Sequence, residues 1–113
     1  MSAQPITDDY MREMLGKTRP YTVLILHRTP KHGEQGSEKI VWEHGRRNFE
    51  LRRDGKILIV CPVGDGGDVT GVCIFSTDPE ETRRIYEEDP GVKVGIFTFE
   101  IHPTRTFPGD ALP

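Results

Sequence analysis

The chain has 113 residues, close to the size of one domain, which leaves room for a single sheet-and-helix core and argues against a second one. Charged residues make up 29% and the net charge is -3, with a pI near 5.8, so no overall charge draws the molecule to nucleic acid or to an anionic membrane. No apolar run approaches the roughly 20 residues of a membrane span, and Met1 to Pro5 lack the basic-then-apolar order of a signal peptide, which predicts a cytoplasmic protein.

Thr7-Asp8-Asp9 supplies capping and first-turn chemistry for a short helix to Leu15, stopped at Gly16. After Pro20, the run Tyr21 to Arg28 is apolar and β-branched on both alternating faces and reads as a strand closed by Thr29-Pro30. Lys31 to Gly36 form a polar loop, and Ser37 stands as N-cap of a long helix from Glu38 to about Arg53. Asp54-Gly55 ends that helix. Lys56 to Cys61 then reads as a buried strand stopped by Pro62, and Val69 to Phe75 as its hairpin partner across the turn Gly64 to Asp68. Ser76 or Thr77 is positioned to cap the next helix, whose first turn Asp78-Pro79-Glu80-Glu81 suits the helix dipole. That helix ends near Asp89-Pro90. Val92 to Ile101 reads as the last strand, and Pro103 to Pro113 as a turn-rich tail with Phe107 as an anchor.

The order βαββαβ with right-handed crossovers predicts an α+β, ferredoxin-like plait: a four-stranded antiparallel sheet with helices on one face. The expected division is a helical extension over residues 1–19, the ferredoxin-like domain over 20–103 and a tail over 104–113. Val23 and Ile25 alternate with Leu24 and Leu26, Ile57 and Ile59 with Leu58 and Val60, and Val94 and Ile96 with Phe97 and Phe99. Both sheet faces are therefore expected to be apolar. Two helices cover one of them, which predicts a homodimer closed over the other; the alternative is that the N-terminal helix and the tail fold over that face within one chain.

On the long helix Val41, His44, Asn48 and Leu51 share the face that should pack on the sheet, so His44 and Asn48 interrupt an apolar stripe. The two helices of a plait run antiparallel, and this brings His44 toward Asp89 at the end of the second.

Several of these features resemble the YciI-like (YCII-related) proteins. Glu43-His44, the helix end Asp54-Gly55 before Lys56 to Pro62, and Asp89-Pro90-Gly91-Val92-Lys93-Val94-Gly95 carry the resemblance, which spans roughly Tyr21 to His102. Cys61-Pro62 stands where that family has Gly-Pro, and the Cys61 side chain would narrow a pocket beneath it. The resemblance implies a dimeric α+β barrel with a histidine-aspartate active site at His44 and Asp89, and some relatives are small-molecule lyases or dehydrochlorinases. A carboxylate on one imidazole nitrogen fixes the tautomer and makes the other a better base, which suits proton abstraction beside a leaving group or carbonyl. The competing reading is a satisfied interhelical hydrogen bond without catalysis, in a dimer that binds a small ligand or serves as an accessory module. Asn48 is expected to help hold a ligand and Cys61 to line the pocket.

Other features point to structure. Cys61 and Cys73 read as buried thiols out of reach of each other, with Thr70 expected opposite Cys61. His27 and His102 end antiparallel strands, so their rings are expected at opposite ends of the sheet, and His32 is expected in solvent. The histidine spacings match no metal motif, and neither a metal nor a cofactor is expected. Gly64 to Asp68 lacks the lysine of a phosphate loop and the closing glutamate of a calcium loop. Arg46-Arg47 and Arg52-Arg53 are offset by Glu43, Glu50 and Asp54 and read as a solvated face, and Trp42 and Phe49 as packing or interface residues on another flank. The expected partners are a second copy and a small molecule, with neither nucleic acid nor membrane.

Overall fold

A computed structural model describes residues 4–113, so the first three positions of the expected N-terminal extension lie outside the described residues. The elements are α1 (Asp8–Leu15), β1 (Arg19–Arg28), α2 (Ser37–Arg53), β2 (Ile57–Pro62), β3 (Val69–Phe75), α3 (Pro79–Glu87), the single turn α4 (Pro90–Lys93) and β4 (Phe97–Thr106), with a 3-10 turn at Pro30–Gly33. The strands form one sheet in the order β2-β3-β1-β4, and the three pairings are antiparallel. This is the ferredoxin-like plait. Among the described residues no helix is long and apolar enough to cross a membrane.

Alternation along β1 sorts the two faces. Thr22, Leu24 and Leu26 are buried, while Val23 and Ile25 are half-buried. Leu24 lies opposite Cys73 on β3 and Ile101 on β4, and this face carries the core with Ile57, Phe75, Tyr86 and Phe97. Burying a Leu or Phe side chain stabilises by about 1.5–3 kcal/mol, which makes this face the main source of cohesion. The polar groups inside it are paired: Thr22 Oγ1 donates to the Thr77 carbonyl at 2.7 Å, and Thr82 Oγ1 to the Asp78 carbonyl at 2.8 Å. Arg47 ties α2 to the end of α3 by donating from Nη2 to the Ile85 carbonyl at 2.6 Å.

The opposite face presents Val23 and Ile25 beside Val72 and Ile74, with Ile59 opposite Ile74. Helix α1 has no buried residue, so it does not pack down on this face. The expectation of an apolar face on every strand fails at β4, whose outward residues are Thr98, Glu100, His102 and Thr104. The cause is a five-residue displacement of the strand. Val92 to Gly95 alternate like a strand, but the Asp89 carboxylate accepts from the Gly91 and Val92 N–H groups and Pro90 fills the first helical position, where its missing donor costs nothing. A helical turn forms, and Gly95 at φ 82° redirects the chain in a left-handed conformation before β4 starts. The strand then runs through Pro103 to Thr106, past the expected end of the domain at 103.

Other boundaries move less. Gly36 takes the cap position of α2 and Ser37 opens the helix, its hydroxyl donating back to the His32 carbonyl at 2.6 Å. Asp78, and not Ser76 or Thr77, caps α3 through the Glu81 N–H at 2.8 Å. The hairpin turns one residue later than expected, with the Val63 N–H donating to the Thr70 carbonyl at 2.9 Å, and this places Val72 opposite Cys61, where Thr70 was expected. Both cysteines are free thiols.

Candidate functional site

Helix α2 crosses the core face with His44 turned inward, and His44 is buried at 8% exposure. Its Nδ1 lies 2.8 Å from Asp89 Oδ1. Asp89 is fully buried, because its second oxygen is committed to the start of α4: Oδ2 accepts from the Gly91 N–H at 2.9 Å and the Val92 N–H at 3.2 Å. A carboxylate that already accepts from two backbone N–H groups acts as an acceptor, which puts the proton of the His44–Asp89 contact on His44 Nδ1. The ring is further held by Phe97, whose centroid lies 4.6 Å away, and by the edge of Tyr86 at 6.2 Å.

The other ring nitrogen faces Asn48. Tyr86 Oη donates to Asn48 Oδ1 at 2.9 Å, which turns the Asn48 amide so that its Nδ2 lies 3.4 Å from His44 Nε2. Burial pushes the Tyr86 hydroxyl well above the ordinary tyrosine value, so it remains a donor and the direction of the chain is set. Tyr86 points Asn48, Asn48 N–H points at Nε2, and Nδ1–H points at Asp89. Nε2 is thus the basic nitrogen, held by one long hydrogen bond that a ligand can replace.

His44, Asn48 and Tyr86 line a cavity of about 630 Å³ between α2 and the β2-β3 edge, within the size range of small-molecule sites. Val41, Val60, Cys61, Cys73 and Phe97 add apolar wall, Arg28 and Arg52 add charge, and Leu112 reaches it from the C-terminal tail. Asp89 lies behind His44 and takes no part in the wall.

The chain matches no family model and no curated protein. Among solved structures it is similar to 5-chloro-2-hydroxyhydroquinone dehydrochlorinase (TftG) from Burkholderia phenoliruptrix AC1100, in complex with 2,5-dihydroxybenzoquinone, at 20% identity and a TM-score of 0.50, over 73% of this chain and 90% of that one. The similarity is one of fold.

Of the residues singled out from the sequence, the structure brings His44, Asp89 and Asn48 into one hydrogen-bonded chain and sets Cys61 in the cavity wall. Cys73 is the buried thiol, pushed up to about 12 by burial, and so is no nucleophile at neutral pH. Cys61 is exposed. Tyr86 and Arg28 were missed. The signal for Tyr86 was its position three residues before Asp89, one helical turn away; that for Arg28 was its even spacing from Leu24 and Leu26, which puts it on the core face.

The histidines near the sheet's outward face also depart from expectation. His27 and His102 do not sit at opposite ends; their Nε2 atoms lie 2.6 Å and 2.7 Å from the two oxygens of Glu100. The register explains this, since Glu100 lies on β4 midway between His102 and Thr98, the partner of His27. Among the described residues no cluster of three or more potential ligands converges on a metal position. His32 is half-buried against Phe97, 5.6 Å between centroids, and does not stand free in solvent. Trp42 and Phe49 are 70% and 69% exposed.

Hydrogen bonds from His102 and then His27 hold the Glu100 carboxyl below its ordinary value of 4.5. A group whose folded pKa is depressed contributes stability above its unfolded pKa and loses it as pH falls through the folded one. Urea midpoints of wild type and Glu100→Gln should therefore differ above pH 4.5 and converge on acidification through the lowered value. A gap that persists unchanged at the acid end would contradict the assignment.

Proposed function

We propose that the chain is a YciI-like enzyme of lyase or isomerase type, working as a homodimeric α+β barrel without a cofactor, in which His44 moves a proton on a small organic molecule. The carrying observation is the bonding of His44 itself. Its Nδ1–H is engaged by a buried carboxylate at 2.8 Å, and its other nitrogen, with one long hydrogen bond to Asn48 at 3.4 Å, belongs to a side chain in the cavity wall. In the forward step Nε2 takes a proton from a C–H beside a carbonyl or a leaving group. The C–H electron pair then goes to the carbonyl oxygen, or into a new double bond as the leaving group departs with its own pair. Asp89 holds the imidazolium so formed and stays ionised. The similarity to a dehydrochlorinase whose structure holds 2,5-dihydroxybenzoquinone makes chlorinated hydroxyhydroquinones the first compounds to assay. His44→Ala should lose turnover, or loss of a substrate C–H to deuterated water, while remaining folded by circular dichroism. Equal activity in that variant would remove His44 from the mechanism.

A second reading, a non-catalytic dimer that binds a small ligand or serves as an accessory module, is favoured by the 8% exposure of His44. It predicts that ligands bind with no exchange of their protons with solvent.

The dimer rests on the outward sheet face. Val23, Ile25, Ile59, Val72 and Ile74 make a contiguous apolar patch there, each only half-buried, of the kind a two-fold interface covers. Ile25→Glu should halve the mass measured by light scattering and leave the far-ultraviolet circular dichroism unchanged. A wild-type monomer, or a variant of dimer mass, would exclude this interface.

A further inference from the structure

We infer that the cavity beside His44 takes a small organic anion, a carboxylate on a flat apolar body, with Arg28 as the residue that holds the charge. This adds aromatic carboxylates to the hydroxyhydroquinones as compounds to try at the site proposed above, and rests on that reading for the position of the reacting proton.

The first observation is the charge of the wall. The protein has 18 acidic residues against 15 lysines and arginines, yet the cavity is lined by Arg28 and Arg52 and by no aspartate or glutamate. An overall acidic molecule has gathered positive charge in one concave, largely apolar place, where low-dielectric walls strengthen its pull on an anion.

The second observation concerns Arg28 itself. It ends β1 on the core face, opposite Phe97, and is only half-buried as a residue. Its Nε is nonetheless shielded and has no hydrogen-bond partner, and Arg28 forms none of the ion pairs found among the described residues. Several guanidinium groups on the exposed surface do have a carboxylate: Arg46 has Glu43 at 2.8 Å, Arg53 has Asp54 at 2.9 Å and Arg84 has Glu80 at 3.1 Å. An anion that meets Arg28 has no carboxylate to displace first, so the gain on binding is larger than for a cation that already has a partner.

The third observation is shape. Phe97 and Val41 offer flat apolar surface in the same wall, and the wall also includes His44. Guanidinium geometry matches a carboxylate through paired parallel hydrogen bonds. With the carboxylate on Arg28 and the body on Phe97 and Val41, the C–H that His44 Nε2 would take lies on the same small molecule, and the anion is oriented before the proton moves.

The test uses the full-length protein, benzoate as the anionic probe and benzamide as its neutral isostere, with binding read from amide chemical shifts in two-dimensional NMR titrations. Benzoate should bind about tenfold or more tightly than benzamide, the difference expected of one charge-assisted contact. Arg28→Gln should bring benzoate down to the benzamide level and leave benzamide unchanged. Equal binding of the two probes by wild type, no binding of benzoate at tens of millimolar, or full benzoate affinity in Arg28→Gln would overturn the inference. The comparison of the two probes on wild type requires no variant, so it decides the matter if Arg28→Gln fails to fold. Loss of benzoate binding in His44→Ala, with Arg28→Gln unaffected, would move the anion to His44 and overturn the assignment. Failure of the catalytic reading appears separately, as His44→Ala with full turnover.

Discussion

Replacing Asp89 with asparagine is expected to reverse the protonation of His44 and to lower turnover by about 10⁴-fold, the scale at which a wrong histidine tautomer disables a catalytic triad. In the native protein one carboxylate serves two clients: Oδ1 accepts from His44 Nδ1 at 2.8 Å, and Oδ2 from the Gly91 and Val92 N–H groups at 2.9 Å and 3.2 Å. The amide has one acceptor atom. Keeping that oxygen on the two backbone donors leaves two buried N–H groups satisfied, whereas giving it to His44 sets an amide N–H against them, at about 1–3 kcal/mol for each group left unpaired. The amide nitrogen therefore faces the imidazole, and His44 Nδ1 becomes the acceptor. The proton moves to Nε2, where Asn48 Nδ2 stands 3.4 Å away as a donor. Asn48 must then turn its oxygen to the ring and its nitrogen to Tyr86, and the whole hydrogen-bonded chain reverses. The base nitrogen of the cavity wall is lost although no side chain has left its place. Nitrogen-15 NMR of the imidazole distinguishes the two tautomers directly. A ring that keeps its proton on Nδ1 in Asp89→Asn would show that Asp89 does not set the tautomer.

The same residues show how far the sequence could be read and where it could not. His44 and Asp89 were legible together because the antiparallel helices of a plait bring the front of one beside the end of the other, and a polar side chain on an apolar helical stripe calls for a partner. The strand Val69–Phe75 was legible from its β-branched run between a glycine-rich turn and helix-capping residues. β4 was misplaced because Val92 to Gly95 carry a strand-like alternation that a local hydrogen bond overrides; Asp89 followed by proline was itself a helix-start signal, hidden by its place at the end of another helix. The His27 and His102 pairing was hidden for a different reason. Strand ends tell where Cα atoms lie, but the rings reach along the sheet to Glu100, and side-chain reach is not written in the hydrophobic pattern. Arg28 could be assigned to a face by counting, yet its lack of a partner is a property of the assembled cavity and of every residue around it.

Gly91→Ala is expected to destabilise the protein by about 1–3 kcal/mol, the range for forcing one extra methyl into a packed interior. A Cβ at this position would lie 2.5 Å and 2.9 Å from Phe97 Cδ2 and Cε2, and 3.2 Å from Asp89 Oδ2. Neither side can yield cheaply. The Gly91 backbone is held at both ends, its N–H on Asp89 Oδ2 at 2.9 Å and its carbonyl accepting from the Ile96 N–H at 2.9 Å. The Phe97 ring is 3% exposed and packs on His44 at 4.6 Å and His32 at 5.6 Å, so it cannot swing into solvent. It must move into the cavity or press on the His44 ring, and the strain then reaches the site through the residue that forms its wall. Urea unfolding should show a lower midpoint with an unchanged slope, since the surface exposed on unfolding is the same. Gly33→Ala is the control, because a Cβ there meets nothing within 4 Å and should shift stability by less than about 0.5 kcal/mol. Equal midpoints for the two variants would mean that the Phe97 ring has a second resting place, and with it that the ring beside His44 is not fixed by α4.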